Sequence, residues 1–331
     1  MEKNKWNLKK LTSTREMSLV IILIVLAVFI QARNHSFLSL TNLNDMITNA
    51  TMMGILAIGM MCVLLIGGID ISIGSTIAFS GMAVALLLRA HPEIPTPVSF
   101  LLGVLVGCAC GMLIGVIVAK GKVIPIIATM GLMNAYRGAT YLIADNQWVA
   151  AYQLPNGLKA FATGKFLGIN NMIVVAVVIY IIFAYFIKFT RTGRMIYAVG
   201  SNVEAAKVSG INIEKINILV YSLMGALSGL VGVMWISKYA SAQGDAATGF
   251  EIDIIAACVI GGVSLNGGKG TVFGVILGTV TLGILNNALP LINISPFWQD
   301  AIKGLVIIVA IIINTISQRS IDKKNLKRRE L

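Results

Sequence analysis

Ionisable and amide side chains are scarce in this chain, and the few that fall inside its apolar runs are the ones able to do chemistry. Asp70 follows directly on a Gly67-Gly68 pair. Its carboxylate can act in the passage or gating of a polar solute, or it can cap the helix that follows, where Ser72 and Ser75 would also satisfy loose N–H groups. Arg137, three residues after Asn134 in a mostly apolar stretch, presents a planar fork of donors suited to hydroxyl groups. It is equally able to snorkel or to bind a carbonyl of a neighbouring helix. Asn286 and Asn287 are adjacent amides in another apolar run. Amides donate and accept, which suits a hydroxyl-rich solute and also suits hydrogen bonding between helices.

None of these residues assembles a catalytic constellation. His35 and His91 are isolated, without a Ser or Cys partner at informative spacing, and no metal site follows from them. Cys62, Cys108, Cys110 and Cys258 all lie in apolar runs and read as small core residues. The stretch Gly262 to Thr271 approaches a phosphate-binding loop, but Lys269 comes one residue late and Gly270 stands where Ser or Thr belongs, between two apolar helices. The expectation is a chain that binds no cofactor and hydrolyses no nucleotide itself.

The elements that must position these residues are membrane helices. With 57% hydrophobic and only 12% charged residues in 331, the chain carries far more apolar sequence than a soluble core needs. The expected fold is an all-α polytopic membrane protein, one transmembrane domain over 1–331, with about ten helices of roughly 20 residues or somewhat fewer. The candidate spans are Met17–Ile30, Met46–Ile66, Gly74–Leu88, Val98–Ala119, Ile124–Ile143, Met172–Ile187, Asn217–Ile236, Ile252–Val263, Val272–Leu291 and Ala301–Ile316, the third and eighth having the faintest signal. Most of the 26 basic residues fall in alternate connections and at both ends, which puts both termini on the cytoplasmic side. The segment 1–16 becomes a cytoplasmic N-terminus and 317–331 a cytoplasmic basic tail. The net charge of +12 is thereby an orientation signal, and no nucleic-acid partner is implied. The first apolar run lacks a small-residue cleavage site and reads as a retained anchor.

Three patterns refine this picture. The segment 190–216 is the one long polar, basic stretch between spans; within it Glu204 to Val208 is helix-prone, Lys207 suits the last turn and Gly210 suits a helix stop. A short amphipathic helix of this kind can seat in a groove on a partner. Gly103, Gly107, Gly111 and Gly115 place a small residue at every fourth position, a seam for close helix packing. Finally, the glycine pair at 67–68 is echoed at 261–262, each breaking an apolar run. Such breaks in corresponding places of two halves point to discontinuous helices beside a transport path.

The residues IGGIDISIGS at 66–75, GRMIYAVGSNVEAAKVSGINIEKI at 193–216 and GFEIDIIAACVIGGVSLNGGKGT at 249–271 resemble, in order and spacing, the permease subunits of bacterial ribose-type monosaccharide ABC importers. The likeness covers almost the whole chain. It implies a type II ABC importer fold in the bacterial inner membrane, a second permease subunit, and a separate ATPase that carries ATP and magnesium. It also implies a periplasmic or lipid-tethered sugar-binding protein. Glu204, Ala205, Ala206, Lys207 and Gly210 match the loop by which such permeases couple to the ATPase. Asp70, Ser72, Ser75, Asn134, Arg137, Asn286 and Asn287 remain the candidates for the substrate pathway. Related permeases import the autoinducer-2 signal, and a branched-chain amino acid permease or an ion-coupled secondary transporter are the alternative readings.

Overall fold

A computed structural model describes residues 15–295, 297–299, 301–306, 308–309 and 312 of the 331. The expected cytoplasmic segments at 1–16 and 317–331 lie wholly or almost wholly outside the described residues, as does the end of the tenth span from 313 on. The chain is helical from end to end of the described region: α1 Arg15–Arg33, α2 Leu40–Leu65, α3 Ile73–Ala90, α4 Thr96–Ala119, α5 Pro125–Ile143, the short α6 Asn156–Thr163, α7 Asn171–Phe189, α8 Arg191–Ser201, α9 Val203–Val208, α10 Ile213–Tyr239, α11 Phe250–Ile260 and α12 Val272–Leu291. A two-residue antiparallel pair, β1 Lys165–Phe166 with β2 Ile169–Asn170, sits before α7.

Helix starts follow local chemistry. Ser39, Asn170, Thr190, Asn212 and Thr271 each accept a backbone N–H of the helix they precede, at 2.8–3.3 Å. Helices α4 and α5 begin instead with a proline in the first turn, where the missing N–H costs nothing.

Among the described residues, six helices are long and apolar enough to cross a bilayer: α2, α3, α4, α7, α10 and α12. The sequence had led us to expect about ten crossings. Helix α5 is long enough, but Asn134 and Arg137 dilute its apolar character. The expected span Ile252–Val263 is the 11-residue helix α11, at about 1.5 Å per residue only half of a bilayer core. Helix α2 is the centre of the bundle, with 78% of its apolar window buried, against 22% for the peripheral α7.

The glycine stripe does form a seam. Gly103, Gly107, Gly111 and Gly115 of α4 lie against Gly229, Gly225, Tyr221 and Ile218 of α10, and a Cβ added at any of them would run into the facing backbone. At one end of the bundle, 144–170 folds back over α3 and α10, with Val149 bridged to Ala242 and a separate cluster of Met82, Leu88, Leu154, Leu158 and Ile236. At the other end lie α8 and α9.

Candidate functional site

The polar segment 190–216 resolves into two helices. Helix α8 buries Gly193, Ile196 and Val199 and turns its polar face outward. Asn202 then leaves helical geometry at φ −162°, and its side chain accepts the Ala205 N–H at 2.9 Å to start α9. Glu204 stands in the first turn and Lys207 in the last, each matched to its end of the helix dipole. The helix ends as its residues dictate: Gly210 adopts φ +78°, its N–H donates to Lys207 O at 3.0 Å, and the Ile211 N–H reaches Ala206 O at 3.0 Å. This is a Schellman stop, and Ala206 in the main core with the half-buried Ile211 packed against that core ties the helix down by its inner face. Glu204 and Lys207 are exposed with Val208, which is 89% exposed. The outward face is therefore charged at both ends and apolar at Val208.

Both expected glycine breaks end helices by the same device. After α2, the Gly67 N–H donates to Leu64 O at 2.9 Å and the Gly68 N–H to Val63 O at 3.0 Å. After α11, the Gly262 N–H donates to Val259 O at 3.0 Å and the Val263 N–H to Cys258 O at 2.9 Å. The left-handed residue is the first glycine of one pair, Gly67 at φ +77°, and the second of the other, Gly262 at φ +96°. The two motifs thus correspond with an offset of one from the letter-for-letter echo. Beyond the second break, 262–271 is the link into α12, with Ser264 N bonded to Lys269 O at 2.8 Å.

Asp70 is buried at 2% exposure just past the first break. Its Oδ1 accepts both the Ser72 N–H at 2.8 Å and the Ser72 hydroxyl at 2.6 Å, so it stabilises the turn into α3. Ser75 donates to Ser72 O at 2.7 Å. These three residues are brought together, with their described hydrogen bonds spent on one another. The Tyr221 hydroxyl lies against Gly68 and finds no hydrogen-bond partner among the described residues.

Arg137 does not meet them. Its Nη1 donates to Gly244 O at 2.7 Å and Ala246 O at 2.8 Å, so it pins the 240–249 loop that leads into α11. Of the sequence readings this is nearest to the carbonyl-binding one, with the carbonyls in a loop and not in a neighbouring helix. Asn134, one turn earlier, is exposed and donates to Met130 O at 3.2 Å.

Asn286 and Asn287 line a cavity of about 80 Å³ with Met46, Asn49, Ala50, Met53, Phe250 and Gly283. Asn287 exchanges two 3.0 Å hydrogen bonds with Asn42, whereas Asn286 Oδ1 is buried and finds no partner among the described residues. Asn49 accepts from Lys238, and Trp235 packs edge-on to Phe250 at 5.7 Å. Amides, an ammonium and aromatic faces thus meet at the end of the bundle opposite α9. Asn49 and Lys238 escaped sequence reasoning; the available signal was an amide in the body of α2 and a cation in the last turn of α10.

A family model described as "Branched-chain amino acid transport system / permease component" matches residues 42–311. Ribose import permease protein RbsC of Escherichia coli (strain K12) is 36% identical over 305 residues, 92% of this chain and 94% of that protein. The protein of the same name from Bacillus subtilis (strain 168) is 36% identical, over 88% of this chain and 90% of its own. Autoinducer 2 import system permease protein LsrC of Salmonella typhi is 33% identical, over 98% of this chain and 92% of its own. No solved structure gives a significant match.

Proposed function

Because this chain belongs to the permease-component family of branched-chain amino acid transport systems, we propose that it is the translocation subunit of an ATP-driven importer of a ribose-like monosaccharide. The carrying observation is its likeness to two ribose import permeases over about nine-tenths of its length. The chain itself performs no bond chemistry. A separate ATPase holds ATP and magnesium, and its groove receives the exposed face of α9 around Glu204, Ala205, Lys207 and Val208, in the helix-in-groove mode. Both termini and α9 are cytoplasmic. At the opposite end a periplasmic or lipid-tethered binding protein delivers the sugar, and a second permease subunit, identical or not, completes the pathway in the inner membrane.

Substrate passes the amide cavity at Asn286 and Asn287. Asn286 Oδ1 accepts a sugar hydroxyl there, and neighbouring Asn49 and Lys238 extend the polar surface. A weak site is sufficient, since the binding protein supplies affinity and a tight pore site would slow release. Asp70 acts at the first break, where its charge takes part in gating besides holding the turn into α3 through Ser72. The amides at Asn49, Asn286 and Asn287 favour a polyol, while Lys238, held at Asn49 near Asp45, is the charge a branched-chain amino acid would use.

The LsrC likeness supports a second substrate, autoinducer-2. The test is uptake of labelled ribose by cells carrying the permease with its neighbouring ATPase and binding protein, with unlabelled autoinducer-2 and leucine as competitors. Saturable, ATP-dependent ribose uptake is expected. Uptake competed by leucine alone, or driven by an ion gradient without the ATPase, would overturn the proposal.

A further inference from the structure

Three backbone segments that are remote in sequence meet beside α9. They are the end of α2, the end of α8 and the link after α11. Leu65 O, an end-of-helix carbonyl with no partner in its own helix, accepts the Gly268 N–H at 2.9 Å. Gly200 packs so closely that a Cβ there would overlap Leu65 O and come within 2.6 Å of Gly268 N. A Cβ on Gly267 would lie 2.9 Å from Gly200 O and 3.1 Å from both Gly67 N and Leu65 O; one on Gly268 would lie 2.6 Å from the Ser201 hydroxyl. Gly67, Gly267 and Gly268 all have left-handed φ, at +77°, +86° and +70°. A fourth tie runs from the Tyr197 hydroxyl of α8 to Gly270 O at 2.7 Å. Burial holds that phenol above its ordinary pKa, so it remains a donor at neutral pH.

Contacts this close between backbones leave no side chain to give way, and only Asn202 and Val203 separate Ser201 from Glu204. We propose that the Gly200–Ser201 corner, clasped between Leu65 and Gly267–Gly268 and tied by Tyr197, is the joint through which displacement of α9 moves both interrupted spans together. One break leads to Asp70 and α3, the other to α12, so a single push is shared by both. Gly200 and Tyr197 act as positioning residues, and the inference rests on α9 being the ATPase contact.

The experiment uses the whole complex in proteoliposomes, with ribose-loaded binding protein, and reads ribose taken up per ATP hydrolysed together with ATPase co-purification. Gly200→Ala pries the corner open. Tyr197→Phe removes one hydrogen bond and adds no atoms, so it remains informative if the alanine variant fails to assemble. Both are expected to keep the ATPase and its hydrolysis while uptake per ATP falls, by about tenfold for the alanine variant and several-fold for phenylalanine, within the range of ordinary coupling free energies. Glu204→Lys separates the two readings. If it retains both ATPase and uptake, α9 is not the contact. If it loses the ATPase while Tyr197→Phe keeps the wild-type ratio of uptake to hydrolysis, the joint alone is refuted.

Discussion

Replacing Gly210 tests the coupling helix through its backbone alone. The residue sits at φ +78°, and an added Cβ would meet nothing within 4 Å, so a substitution there adds strain without a clash. Placing an L-residue in the left-handed region costs roughly 1–2 kcal/mol, and Asn tolerates it best. Alanine should therefore lower the population of correctly stopped α9 about 5- to 30-fold at the usual 1.4 kcal/mol per decade. Valine, β-branched and less tolerant of positive φ, should approach a loss of about 3 kcal/mol, or roughly 150-fold. If the ATPase reads the shape of this helix, its apparent affinity falls in the order Gly, Asn, Ala, Val. Titration of purified ATPase onto the permease in detergent measures the series, and membrane insertion should be equal throughout because the strain lies in an exposed turn. Equal affinity for the glycine and valine proteins would refute the reasoning, and an equal loss for Asn, Ala and Val would refute its backbone basis.

Other perturbations reach the remaining elements. Cysteines placed at Ser201 and at Asn156 should react with impermeant thiol reagents from the cytoplasmic and the outer side respectively, and labelling of Ser201 from outside would invert the orientation. Asp70→Asn keeps an oxygen able to accept both Ser72 bonds, so assembly should survive while uptake falls with the lost charge; normal uptake would confine Asp70 to capping. Gly107→Val drives a side chain into the Gly225 carbonyl and the Gly229 backbone and should abolish stable folded protein in a thermal-aggregation assay. Gly131→Ala, with open space around it, should be silent in the same assay.

Much of this arrangement was legible from one sequence because its devices are local. The Glu204 helix needs only Asn202, Ala206 and Gly210 in register, and the α4 seam needs only glycine at every fourth residue. What escaped depends on distance. An apolar run looks alike whether it crosses the membrane or stops halfway, so α11 read as a span until its length and the Gly261–Gly262 stop fixed it as a half-helix. Arg137 has no way to declare from sequence that its partners are the carbonyls of residues 244 and 246. Helix α8 was hidden by its polarity, although Ile196 and Val199 mark an inner face. The glycine echo was visible, but which glycine of each pair turns left-handed depends on the helix before it, hence the offset between Gly67 and Gly262.

The seam between α4 and α10 has a mechanical meaning. Backbone lies on backbone at Gly103, Gly107, Gly111 and Gly115, and the small residues recur in steps of four, about 6 Å at 1.5 Å per residue. Because α10 answers with Gly229, Gly225, Tyr221 and Ile218, which do not repeat glycine in that step, a slide would push side chains into those gaps and one register is favoured. The pair is therefore locked in register, and α3, the helix that follows the first glycine break, rests on the same α10 at Gly81 and Gly232.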